Sequence, residues 1–122
     1  MRLLPETEEK ANNDLPGKLI AHCETAMDIC ERITSGNISH MAGNLDNLFL
    51  FFLLTFEEEK NNGRQISNTV SDLIVESTMI LRSRDFNKSG YQTLAYKIKA
   101  NMQKLKDFFI KEKTSQKYLV GV

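Results

Sequence analysis

The sequence predicts an all-α fold, an antiparallel four-helix bundle. Apolar residues recur at steps of three and four in four separate segments, the period that gathers side chains along one helical stripe. Only two prolines and six glycines punctuate the 122 residues, too few for the many tight turns of an all-β domain. Three short polar connections join the segments, so sequential helices should be antiparallel neighbours. With 41% apolar and 26% charged residues the chain lies far from the composition of disorder, and its length suits one core.

Residues 1–13 include Glu6, Glu8, Glu9, Lys10, Asn12 and Asn13 and hold no sustained apolar period, which reads as a flexible N-terminal arm. The bundle is expected over 14–113. Asp14 and Pro16 open it, a capping side chain followed by a proline in the first turn, where a helix tolerates one. Leu19, Ile20, Cys23, Ala26, Met27, Cys30 and Ile33 then form the inward stripe of a first helix over about 15–35. Ser35-Gly36-Asn37 is expected to stop it, because glycine and asparagine adopt the left-handed conformation at least cost.

The second helix, about 38–59, turns Ile38, Ala42, Leu45, Phe49, Phe52 and Phe56 inward. Glu57-Glu58-Glu59-Lys60-Asn61-Asn62-Gly63 reads as a solvated, charged loop. A third helix over about 66–84 directs Ile66, Val70, Leu73, Ile74, Ser77, Ile80 and Leu81 to the core. After a turn at 85–90, the fourth helix over about 91–113 alternates Tyr91, Ala95, Ile98, Met102, Leu105 and Phe109 by fours and threes, the seam of bundle packing. Residues 114–122, with Tyr118, Leu119 and Val120, form a tail.

Nothing in the chain announces catalysis or a cofactor. The phosphate-cradling glycine patterns and the nucleophile elbow are missing, and His22 and His40 lack a partner at metal-ligand spacing. Cys23 and Cys30 stand two helical turns apart, beyond disulfide reach, and read as reduced core residues. No catalytic, cofactor-binding or metal residue is therefore assigned. The start Met1-Arg2-Leu3-Leu4-Pro5 lacks the long apolar core of a secretory leader, and Leu48–Phe56 is about half a bilayer span. A cytoplasmic protein is expected.

Charge is balanced overall but divided: residues 1–60 carry 11 acidic and 5 basic side chains, residues 61–122 the reverse. In a compact bundle this predicts acidic and basic helix faces lying against each other, with a lysine stripe on the last helix. That stripe raises nucleic acid as a partner. Lysines outnumbering arginines there, with Tyr91, Phe108 and Phe109 on or beside the buried stripe, weigh against it.

The sequence points instead to a partner-binding surface. At about 100° per residue, Leu50, Phe51 and Leu54 lie on the back of the second helix, and Val75 and Met79 lie off the third helix's inward stripe. Such an apolar patch closes a homodimer, offers a groove to an amphipathic helix, or is wrapped by neighbouring helices.

Several stretches resemble the FliS family of flagellar secretion chaperones. Asp14-Leu15-Pro16-Gly17-Lys18-Leu19-Ile20 is similar to that family's Ser/Thr-Pro helix start, and Ile33-Thr34-Ser35-Gly36-Asn37 to the turn that follows. Phe56 to Ile66, with Val70 and Leu73, resembles its acidic turn and third helix, and Phe108 or Phe109 stands where it often has tryptophan. The chain departs from the pattern at Leu73-Ile74-Val75-Glu76 and has no tyrosine before Tyr91. The resemblance, over about 14–113, implies a cytoplasmic chaperone holding the aggregation-prone helical end of flagellin or a similar secreted filament subunit, without cofactor or nucleotide.

Overall fold

A computed structural model describes residues 15–63 and 65–120, with side chains as far as Glu112 apart from Asn87. The elements in chain order are α1 (Leu15–Arg32), α2 (Ile38–Asn61), α3 (Asn68–Leu81), a 3-10 turn (Arg84–Asn87) and α4 (Tyr91–Val120). No strand occurs among the described residues, and the expected all-α helical bundle is what the chain forms. Each helix packs on the two beside it, in the ring α1–α2–α3–α4–α1, with α1 most extensively on α4. Ion pairs show the antiparallel direction of that last contact: Glu24 meets Lys106 and Glu31 meets Lys99, so one chain number rises as the other falls.

The core follows from the apolar periods. Leu19, Cys23, Ala26, Cys30 and Ile33 of the first segment are buried, as are Leu45, Phe49, Phe52 and Phe56 of α2. They meet Val70, Ile74 and Leu81 of α3 and Ala95, Ile98, Met102, Leu105 and Phe109 of α4. Phe52, Phe56 and Phe109 form a chain of rings, with centroids 6.1 Å and 6.3 Å apart. Asn101 is the polar exception on α4: its Nδ2 donates to Ser77 Oγ and Glu76 Oε1, both at 3.2 Å, tying α4 to α3.

The turns differ from expectation in instructive ways. Helix α1 ends at Arg32, and Asn37 closes the turn through its side chain rather than a left-handed backbone. Its φ is −123°. Its Oδ1 accepts from the Thr34 N–H at 2.7 Å while its Nδ2 donates to the Arg32 carbonyl at 3.0 Å. The left-handed residue is Gly63, with φ 86°, at the end of α2. Glu57, Glu58, Glu59 and Lys60 are correspondingly the last turn of that helix and not a loop.

Helix α3 is shorter than its apolar pattern, starting behind the cap Ser67, whose Oγ accepts from the Thr69 N–H at 3.2 Å. It stops at Leu81, and the 3-10 turn that follows drives Phe86 wholly into the core. Helix α4 continues to Val120, past the expected end near 113. The arm at 1–13, Asp14 and the side chains of Tyr118, Leu119 and Val120 lie outside the described residues.

Candidate partner-binding surface

The five residues expected to bind a partner are all exposed: Leu50, Phe51, Leu54, Val75 and Met79, with Leu54 at 61% and Met79 at 68%. Their arrangement follows from the contact between α2 and α3. Arg82, just beyond α3, donates from Nη2 and Nε to Asp46 Oδ1 of α2 at 3.1 Å and 3.3 Å, which marks the register of the two helices. By the helical rise, Leu50 lies about 6 Å and Met79 about 4.5 Å along the axes from that pair. Leu54 and Val75 follow at about 12 Å and 10.5 Å, so the four side chains stand in two level rows. All four are within about 80° of the pair-forming side of their own helix, on the shoulders that flank the α2–α3 contact.

Phe51 belongs elsewhere. It lies about 140° around α2 from Asp46, and its ring rests against His22 of α1 with centroids 4.5 Å apart and planes inclined at 56°. With Ile29 and Leu48 it lines a shallow groove between α1 and α2. The five expected residues therefore divide into a four-residue α2–α3 patch and one aromatic on the far shoulder of α2.

Beside the patch, Val75, Met79, Ile80 and Leu94 form the apolar floor of a depression rimmed by Asp72, Glu76 and Asp85. Helices α2 and α3 together hold six acidic side chains against Lys60 alone. By contrast the α1–α4 contact pairs its charges, and Lys99 and Lys106 of the basic helix are engaged by Glu31 and Glu24. Lys97, Lys104 and Lys111 face outward in an i, i+7, i+14 line, near the exposed Tyr96 and Ile110. Tyr96 falls off the four-three alternation of α4, which is the signal in the sequence for its exposure.

Two other features lack the chemistry of a site. A cavity of about 160 Å³ lies among all four helices, lined by Leu15, Phe56, Val70 and Phe108 among others. It is below the usual range of about 300–1,000 Å³ for pockets that hold small organic ligands. Cys23 and Cys30 are free and buried, and burial pushes both thiols up to about 12, so neither is a thiolate nucleophile near neutral pH. Among the described residues no group of three or more His, Cys, Asp or Glu side chains could hold a metal ion, and no helix is long and apolar enough to cross a membrane.

No family model matches the chain, and no solved structure matches it. A similarity is found to sister-chromatid cohesion protein 3 of Arabidopsis thaliana, 29% identical over 70 residues. It covers 55% of this chain and 6% of that protein, so the chain spans only a small fraction of the relative's length. These findings overturn the resemblance to flagellar secretion chaperones, which neither a family match nor a relative supports. The residues that carried it include a proline-led helix and a helix end closed by glycine, features common to helices of many folds.

Proposed function

We propose that this protein is a binding module, an adaptor or holding chaperone that docks an amphipathic helix of another protein across α2 and α3. One observation carries the reading: Leu50, Leu54, Val75 and Met79 are all exposed on adjoining helices, outside a core that is already complete without them. Isolated exposed apolar residues need no explanation, but a contiguous set on two helices is how a helix-binding groove presents itself. A helix laid across the exposed shoulders of α2 and α3 would bury its i, i+3, i+4 and i+7 side chains there. The similarity to a cohesion protein covers too little of that protein to bring its role to this chain.

The test is site-specific cross-linking. A photoreactive residue at Leu54 is expected to couple to one defined partner protein at a helical segment, while the same residue at Tyr96, on the outer face of α4, does not. Substituting Leu50→Gln and Met79→Gln should abolish coupling with the helical circular dichroism unchanged. Equal coupling from both sites, or coupling indifferent to the glutamines, would sink the proposal.

A further inference from the structure

From the charge around this surface we infer that its partner is a basic amphipathic helix, with lysine or arginine flanking its apolar stripe. The inference rests on the binding role proposed above and specifies the chemistry of what is bound. Asp72, Glu76 and Asp85 rim the depression whose floor is Val75, Met79, Ile80 and Leu94. Asp72 and Glu76 are the only charged residues of α3, and both are exposed. On the α2 side, Glu57 and Glu58 follow Leu54 within one turn and are exposed as well. Arg82, three residues beyond Met79, is already committed to Asp46.

A helix docked on the patch therefore meets carboxylates contributed by both α2 and α3. Lysine and arginine suit that position twice over, because their long stems lie along the apolar floor while the charged head reaches the rim. An acidic helix would set like charges against Asp72, Glu76, Glu57 and Glu58. Isologous pairing of two copies has the same fault, since a two-fold axis would bring this acidic face against itself.

The probes are two synthetic 18-residue peptides with the same leucines at i, i+3, i+4 and i+7, one with lysine and the other with glutamate at the flanking positions. Binding is measured to the full chain by fluorescence anisotropy at low and moderate salt. The lysine peptide is expected to bind at least ten times more tightly, and Asp72→Lys with Glu76→Lys should reverse the order. Neutral Leu54→Gln with Met79→Gln should weaken the lysine peptide at least tenfold, which attraction to a generally acidic surface would not produce.

Equal affinity for both peptides, or preference for the glutamate peptide, overturns the basic-helix inference while leaving the docking surface in place. Lysine-peptide binding indifferent to Leu54→Gln and Met79→Gln overturns the docking surface itself. Self-association of the chain, measured by sedimentation and abolished by those two glutamines, would seat a second copy on the face and overturn the inference by another route.

Discussion

The α1–α4 contact and the α2–α3 contact are built from the same materials and used differently. Across α1–α4, apolar side chains point inward and the flanking charges are matched, Glu24 to Lys106 and Glu31 to Lys99. Across α2–α3, the inner faces are as well buried and Asp46 pairs with Arg82, but the shoulders carry exposed Leu50, Leu54, Val75 and Met79. The first contact is complete within the chain. The second leaves apolar area and acidic charge for something else to meet, and that contrast separates a stabilising seam from a binding face.

The largest expected effect breaks the seam. Met102 is fully buried in it, so Met102→Ala should cost about 2–5 kcal/mol through lost contacts and a residual cavity. Calorimetry should show Tm falling by roughly 8–20 °C at about 4 °C per kcal/mol. The same kind of truncation on the face, Leu54→Ala, should change stability by no more than about 0.5 kcal/mol. A comparable loss at both positions would show that Leu54 supports the fold, and the distinction between seam and face would collapse.

A smaller effect is expected where α3 joins α4. Asn101→Ala leaves the wholly buried Ser77 hydroxyl without its donor, at a cost of about 1–3 kcal/mol. Removing both polar partners, Asn101→Leu with Ser77→Ala, should recover most of the loss, because no buried polar atom is then left unmatched. Urea denaturation of the three variants checks this. A double variant no more stable than Asn101→Ala would mean that Glu76, the second acceptor, carries the interaction.

The core was far more legible in the sequence than the face. Leu19 through Ile33, Leu45 through Phe56 and Ala95 through Phe109 follow the helical period so closely that their burial could be read residue by residue. Phe86 could not, because a buried side chain in a 3-10 turn belongs to no period. Asn101 was missed because polarity argues against burial unless its partners, Ser77 and Glu76, are already known. On the face, angular position showed that Leu50, Leu54, Val75 and Met79 leave the core stripe. It could not show that Phe51 swings toward His22, since that depends on which neighbour lies on which side of α2. Chaining local likenesses into a flagellar chaperone failed because caps and helix ends recur in every bundle.

The finest test of the contrast is a pH titration of the seam. The hydrogen bond and charge of Lys99 hold the Glu31 carboxyl below its ordinary 4.5, and the Glu31 hydrogen bond raises Lys99 above 10.5. A lowered carboxyl favours the folded state above its unfolded value, and that contribution disappears as pH falls through the folded one. A raised amine favours folding below its unfolded value and loses its contribution as pH rises through the folded one. The stability difference between the parent and Glu31→Gln should therefore be level from about pH 5 to 10 and close at both ends. Both groups reach solvent, so the difference should be small and should shrink with added salt. If it is absent at low salt throughout that range, the α1–α4 charges are screened by water and contribute to pairing specificity alone, and apolar burial becomes what the two contacts share.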